Sequence, residues 1–416
     1  MKNKTKIGIL SLGCPRNLVD SESILGRLNL KKYPIVDISK ATVAIINTCA
    51  FVEDAKKESI DAILDLIELK REGKLSKIII HGCLAERYKE SLVKELPEID
   101  AFVGKISLNH DCRAFPITPR HYAYLKICEG CINNCSYCII PKIKGRLVSL
   151  DLASVIKRVE KFNQEGISEL NIIGQDITGY GQDLYGSSKL PKLIRRLLSK
   201  ANDIGWIRLL YLYPSRVSDE LIELMGLEPK ICKYVDLPLQ HINERILKLM
   251  RRQTTRKYIL SLIEKLRKRI PGVGLRTSLI VGFPSETARE FKELLKFIEE
   301  IRFERLGAFI YSQEEGTKAS SMPGQVPHQE KVERFNAVMS LQQNISLKIN
   351  KKFLGLDLKV LIDEKKDDFY LGRSEYDAPE VDGLVYVKSK KTLRPGDFVK
   401  VKINGTLEYD LVGDAV

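Results

Sequence analysis

The chain lacks any apolar run near the roughly 20 residues that a membrane-spanning helix needs, so no membrane role is expected. Its first apolar stretch, Ile7 to Leu12, is too short for the core of an export signal and reads as a strand. No low-complexity segment and no solenoid period interrupts the sequence. Cys128 opens a second frame, Cys128-x-x-Cys131, beside Cys135-x-x-Cys138, but a structural zinc site more often shows its two Cys-x-x-Cys pairs separated by a loop. With no export signal, nine cysteines point to a reducing cytoplasm and to metal ligation rather than to disulfides.

What is present fits a large soluble protein: 416 residues, 44% hydrophobic and 29% charged, enough for two or three domains. The formal net charge of +14 admits a nucleic-acid partner or the ribosome. Its distribution is uneven. From Lys352 to Val416 there are 11 Lys and Arg against 13 Asp and Glu, a net −2, which leaves +16 for the remainder.

Three cysteines stand in the run Glu129-Gly130-Cys131-Ile132-Asn133-Asn134-Cys135-Ser136-Tyr137-Cys138, just after the strand-like Tyr122 to Ile127. One short loop thus offers three thiolates. A cube of four irons takes four ligands, so three cysteines leave one iron open, the condition for catalysis at a cluster rather than storage in it. This spacing resembles the signature of the radical-SAM enzymes, which implies a cluster that binds and reductively cleaves S-adenosylmethionine; Tyr137 fits the aromatic that family places before the last cysteine, where it can pack on adenine. A zinc knuckle completed by His121 or Cys128 is the bland alternative.

The first hundred residues alternate short apolar runs (Lys6–Gly13, Thr42–Thr48, Lys77–Gly82) with helical patterns (Asn17–Leu28, Glu53–Arg71, Ala85–Leu96), which predicts a parallel α/β sheet. Cys14, Cys49 and Cys83 each follow one of these strands, at separations of 35 and 34 residues, one strand–helix repeat. Strand ends in a parallel sheet share one edge, so the three thiols are expected to converge there and hold a second iron–sulfur cluster with an open iron. A second set of alternating elements runs from about residue 120 to 310, with strands expected at Tyr122–Ile127, Glu169–Gly174, Ile207–Leu212, Tyr234–Leu237, Gly274–Val281 and Arg305–Tyr311. Six repeats predict a partial (β/α)6 barrel with its site at the strand C-termini. After a break at Gly316–Pro327 comes a long helix, Gln329–Lys351, then short strands from Leu358 that predict a small β-barrel. The expected domains are 1–112, 118–350 and 352–416.

Gln175 and Asp176 follow the second barrel strand and are candidates for the chamber mouth. Arg276 and Thr277 lie early in the fifth strand, where an inward guanidinium would suit a methionyl carboxylate. Gln240 and His241 are weaker candidates. Ser285 is expected to cap the helix that follows it. Lys142, Lys144 and Arg146 read either as a solvated loop or as a contact to an anionic partner.

With both cysteine trios in place, the whole chain resembles the methylthiotransferases, a branch of the radical-SAM enzymes. Ser11-Leu12-Gly13-Cys14-Pro15-Arg16-Asn17-Leu18-Val19-Asp20-Ser21-Glu22 is similar to that family's opening, and Asn47-Thr48-Cys49 and Gly82-Cys83-Leu84 to its next two ligand motifs. The C-terminal segment resembles its TRAM domain. The run Gly372-Arg373-Ser374-Glu375-Tyr376-Asp377-Ala378-Pro379-Glu380-Val381-Asp382-Gly383 is similar to the branch that modifies a ribosomal protein (the RimO type), rather than tRNA (the MiaB type).

The resemblance implies that Cys131, Cys135 and Cys138 hold the 4Fe-4S cluster that cleaves S-adenosylmethionine to a 5′-deoxyadenosyl radical. It implies likewise that Cys14, Cys49 and Cys83 hold an auxiliary 4Fe-4S cluster carrying the sulfur. The substrate would be the β-carbon of an aspartate in small-subunit ribosomal protein twelve, and the electron donor a flavodoxin or ferredoxin. Lys144 and Leu150 stand where the family often has Arg, and Cys128 is a further departure. The acidic residues Asp377, Glu380 and Asp382 read as a dock for a basic protein tail, which disfavours the rival tRNA substrate. The remaining alternative is a non-catalytic electron carrier or RNA-binding adaptor, but a carrier would complete each cluster with four protein ligands.

Overall fold

The computed structural model describes residues 5–108 and 115–416; the expected domain end at residue 112 lies outside the described residues. The chain forms two compact units, one made of residues 1–118, 128–150 and 312–320, the other of 119–127, 151–311 and 321–416.

The first unit is built on four parallel strands in sequence order, β1 (Ile7–Ser11), β2 (Val43–Thr48), β3 (Lys77–Gly82) and β4 (Ala101–Val103). They alternate with helices α1 (Pro15–Leu25), α2 (Glu53–Arg71) and α3 (Cys83–Glu95). Strand β2 is buried at every position, as a central parallel strand with both faces covered must be. The short β4 was not anticipated, because three residues carry too little pattern to be seen.

The loop Cys128–Leu150 is part of this unit. Its ends meet as a short antiparallel pair, Cys128 opposite Ser149 and Glu129 opposite Val148. Ile139 and Ile143 join the core formed by Ile46, Ile63, Ile78 and Ile80. The segment Ser312–Ser320 completes the unit: Glu314 pairs with Arg87 at 2.6 Å and Lys56 at 3.1 Å, and the Ala319 N–H donates to Ser136 O at 2.8 Å.

The second unit contains six parallel strands, β5 (Tyr122–Lys126), β6 (Glu169–Ile173), β7 (Trp206–Leu209), β8 (Tyr234–Asp236), β9 (Gly274–Val281) and β10 (Arg305–Ile310). They pair as β5-β6-β7 and β8-β9-β10. The two triplets are linked by the bridge Ile207–Ile231 and by the Leu212 N–H donating to Asp236 O at 3.0 Å. Connecting helices include α4 (Leu152–Gln164), α5 (Leu190–Leu198), α6 (Asp219–Leu227), α7 (Glu244–Leu249), α8 (Arg256–Arg269) and α9 (Ala288–Ile301), followed by α10 (His328–Asn350). This is the expected partial barrel. Thr287, not Ser285, caps α9: its hydroxyl accepts the Glu290 N–H at 3.3 Å, and Glu290 reaches back to the Thr287 N–H at 2.8 Å. Ser285 instead adopts a left-handed φ of 66°.

The C-terminal strands β11 (Asp357–Lys366), β12 (Phe369–Ser374), β13 (Val385–Lys388), β14 (Phe398–Thr406) and β15 (Leu411–Ala415) close into a barrel in the order β11-β12-β13-β15-β14. Val360, Ile362, Val385, Val387, Val401 and Ile403 fill it. The last strand, β15, was not expected from the sequence. It pairs parallel to β13 and antiparallel to β14, and it removes the free edge that would otherwise remain.

The segment Arg373–Asp382, which runs from the end of β12 toward β13, meets all six strands of the large barrel near their N-terminal ends. Tyr122 donates to Glu380 at 3.1 Å, Arg373 pairs with Glu169 at 2.6 Å, and Arg208 donates to Glu375 O at 2.7 Å. Tyr234 donates to Asp382 at 2.6 Å, Arg276 pairs with Asp382 at 3.4 Å, and Arg305 Nε donates to Asp377 at 2.7 Å. The expectation of an open acidic dock is therefore corrected for Asp377 and Asp382, which are buried, while Glu380 is exposed. Their carboxylates neutralise or accept from groups of the barrel, since arginines buried at strand starts need counter-charges.

Candidate active site

Each of the first three cysteines sits where a strand of the first unit ends. Cys14 caps α1 ahead of Pro15, and its Sγ accepts from Arg16 Nε at 3.2 Å. Cys49 follows β2, with Ser59 bonded to both its N–H and its carbonyl at 3.0 Å. Cys83 opens α3, its Sγ 3.8 Å from Asn17 Oδ1.

Two glycines make this convergence possible. Gly13 has φ +87°, and a Cβ there would lie 2.7 Å from the Cys49 Cβ. Gly82 has φ +99°, and a Cβ would lie 2.3 Å from Asn47 Oδ1.

Buried amides hold the three loops in place. Asn17 Nδ2 donates to Leu12 O at 3.0 Å and Thr48 O at 3.1 Å, while Asn47 Nδ2 donates to Asn17 O at 2.7 Å and Ser21 Oγ at 2.9 Å. These positioning roles were not assigned from sequence. The signal was there, because Asn17, Asp20 and Ser21 place three polar side chains on one buried face of α1.

The second trio, Cys131, Cys135 and Cys138, is half-buried in the loop of the same unit, with Tyr137 half-buried beside Cys138. Asn133 donates to Cys131 Sγ from both its backbone and its side chain at 3.4 Å, and the Cys131 N–H donates to Gly145 O at 3.3 Å.

Lys144, read from sequence as a solvated or partner-facing residue, is buried. Its Nζ lies 3.2 Å from Asp20 Oδ2 and 2.9 Å from Glu129 Oε1.

The electrostatics separate the thiols. Burial raises the Cys14 thiol, but the Arg16 charge and hydrogen bond outweigh it and bring the group below its usual value. Burial raises Cys49, and the neighbouring Cys14 adds to the effect. Burial pushes Cys83 up to about 12 although Lys144 opposes it, and Cys138 up to about 12 with Cys135 adding and Arg16 opposing.

Thiols raised by burial, as Cys83 and Cys138 are, stay protonated near neutral pH unless a cation takes the proton's place, which is how thiolate ligation to iron works. Among the described residues no three His, Cys, Asp or Glu converge as ligands of one metal ion. A cube does not require it, because each thiolate binds a different iron. Three mutually interacting thiols per trio therefore fit a cluster with one iron left open.

In the second unit, Asp176 caps a short turn, accepts the Thr178 N–H at 3.0 Å and pairs with Arg216. Among the described residues, Gln175 Oε1 is buried without a hydrogen-bond partner, as are the Tyr124 hydroxyl and both side-chain polar atoms of Asn171. Tyr124 and Asn171 face each other in register on β5 and β6. These last two were missed because each lies mid-strand in an apolar run.

Arg276, expected to take a methionyl carboxylate, is instead paired with Asp236 at 3.0 Å and with Asp382. Thr277 donates to Leu237 O at 3.0 Å and accepts the Leu239 N–H at 3.3 Å. Both are thus engaged within the barrel wall. His241 is buried, with Nδ1 accepting the Asn243 N–H at 3.0 Å; burial drives its pKa down to about 3, which keeps the ring neutral.

Family models place the chain. Residues 125–298 match the Radical SAM superfamily, 6–104 the Uncharacterized protein family UPF0004, and 354–416 the TRAM domain. Among similar curated proteins, the ribosomal protein uS12 methylthiotransferase RimO of Caldanaerobacter subterraneus is 49% identical, with 98% of this chain and 99% of that protein covered. The RimO protein of Clostridioides difficile is 45% identical, with 99% of each chain covered. The chain belongs to the RimO family of radical-SAM methylthiotransferases. A solved radical S-adenosylmethionine methyltransferase, TsrM from Kitasatospora setae, shares the fold: TM-score 0.51, 11% identity, with 88% of this chain and 80% of that chain covered.

Proposed function

We propose that this enzyme inserts a methylthio group at the β-carbon of an aspartate in small-subunit ribosomal protein uS12, using two 4Fe-4S clusters and S-adenosylmethionine. Cys131, Cys135 and Cys138 would hold one cluster and Cys14, Cys49 and Cys83 the other. When bound, these groups supply reductive cleavage of S-adenosylmethionine and delivery of sulfur. An unactivated C–H bond offers no acidic proton, so side-chain acid–base chemistry has little to contribute. The chain's own residues would bind, orient and exclude water.

One observation carries this reading: both trios lie in a single compact unit, where the charge of Arg16 acts on Cys14 and Cys49 of one and on Cys138 of the other. Asn17 and Asn47 fix the first trio, and the ladder Cys128–Glu129 with Val148–Ser149 closes the loop of the second. In the other unit, Gln175, Tyr124 and Asn171 offer buried polar atoms suited to a polar ligand. Tyr137, in the first unit, offers an aromatic face for adenine.

Because Asp377 and Asp382 are paired inside the second unit, the charge of the C-terminal module does not discriminate protein from tRNA. The uS12 reading rests on the full-length relatives. A low-potential donor, flavodoxin or ferredoxin, and a cytoplasmic site of action complete it; no helix among the described residues is long and apolar enough to cross a membrane.

The test is anaerobic reconstitution with S-adenosylmethionine, a reductant and either ribosomal protein uS12 or tRNA, followed by mass spectrometry. The expected result is one methylthio group gained on the protein alone. A gain on tRNA, or on neither, refutes the assignment.

A further inference from the structure

The loop that carries Cys131, Cys135 and Cys138 emerges from strand β5 of the large barrel, yet it packs into the first unit with the other trio. What holds it there is specific. Lys144, six residues beyond Cys138, buries its ammonium between Asp20 Oδ2 at 3.2 Å and Glu129 Oε1 at 2.9 Å. Asp20 lies on α1, six residues after Cys14, and Glu129 lies two residues before Cys131.

The next residue, Gly145, accepts the Cys131 N–H through its carbonyl at 3.3 Å. One ammonium therefore ties the start of the loop, its return limb and the helix of the other trio. The side chains of Asp20, Glu129 and Lys144 are only 3%, 7% and 3% exposed, so solvent neither screens the triad nor replaces its members.

We propose that Lys144 is a positioning residue, fixing the loop of Cys131, Cys135 and Cys138 against α1 so that the two cysteine trios keep one mutual placement. The inference rests on the two-cluster reading above and adds a residue to it. An ammonium is suited to the position because it is a compact charge able to donate to two carboxylates from different segments. An Arg can span the same two acceptors, whereas a Met of similar length fills the space but takes the ammonium away from both buried carboxylates.

The experiment compares wild type, Lys144→Met, Lys144→Arg and Glu129→Gln in two measurements. In the apo protein, hydrogen–deuterium exchange is followed across residues 128–145. In the reconstituted enzyme, the 5′-deoxyadenosine formed is divided by the methylthio product formed. Lys144→Met is expected to speed exchange in that segment about tenfold and to raise the ratio by on the order of 100-fold, the scale of a misplacement near 1 Å. Lys144→Arg should restore both to within a few-fold of wild type. Glu129→Gln, which leaves Lys144 paired with Asp20, should move both in the same direction by less, and it decides the matter should Lys144→Met not fold.

A purely structural role would lower both products together and leave their ratio unchanged. An unchanged ratio with unchanged exchange in Lys144→Met and Glu129→Gln overturns the proposal. If wild type yields no methylthio product, the function assigned above fails, while exchange in the apo variants still decides whether Lys144 anchors the loop.

Discussion

The phenol of Tyr234, at the start of barrel strand β8, donates to Asp382 of the C-terminal module at 2.6 Å, and Arg276 pairs with the same carboxylate at 3.4 Å. The segment Arg373–Asp382 thereby caps the N-terminal ends of the barrel strands, opposite the ends from which Gln175 and Asp176 emerge. The caps of such barrels serve stability, while the C-terminal ends serve chemistry.

Removing one member of this cap should destabilise the protein without touching the cysteines. Arg305 and Asp377 are 6% and 2% exposed. Asp377→Ala leaves that guanidinium unpaired in the interior, at a cost of about 3–5 kcal/mol. The check is urea unfolding of apo protein: a lowered midpoint is expected, with iron content after reconstitution unchanged at low temperature.

The cysteine positions were legible in the sequence because a separation of 34 or 35 residues is one strand–helix repeat, and a repeat fixes where each strand ends. Helix α2 and strand β3 likewise begin and end where their patterns place them, at Glu53–Arg71 and Lys77–Gly82. The cap was not legible. Arg305 meets Asp377 across 72 residues and Tyr234 meets Asp382 across 148, and no periodicity links such positions. Arg276, expected to face a methionyl carboxylate, pairs with Asp236 and Asp382 of the protein itself, 40 and 106 residues away in sequence. The cap of α9 was readable: Thr287-x-x-Glu290 is a capping box, and the nearer Ser285 distracted from it.

Gly13→Ala should remove one cluster selectively. The substitution forces a Cβ to 2.7 Å from the Cys49 Cβ, on a residue that must keep φ +87°. After reconstitution, iron should fall to about half of wild type while S-adenosylmethionine cleavage persists; full iron content would contradict the role given to this approach.

Arg16→Met should slow alkylation of Cys14 in apo protein. Arg16 holds that thiol below its usual value, so its loss raises the pKa and lowers the thiolate fraction near neutral pH. Peptide mapping after a short iodoacetamide pulse reads this directly, with Cys135 as the internal reference.

Acid should weaken the capping box of α9. Burial opposes ionisation of Glu290, but bonds from Arg245 and Thr287 outweigh it and bring the pKa from 4.5 down to about 2. A carboxyl depressed on folding stabilises fully above its unfolded value and loses that contribution as pH falls from about 4.5 toward about 2. The apo melting temperature should decline over that interval, and less steeply in Glu290→Gln.

The measurement that bears most directly on the two-cluster account is iron and sulfide content, with electron paramagnetic resonance, of wild type against the variant carrying Cys14→Ala, Cys49→Ala and Cys83→Ala. Wild type should hold two clusters. The variant should hold one, still cleave S-adenosylmethionine, and add no methylthio group. A single cluster in wild type, or methylthio insertion by the variant, would contradict it.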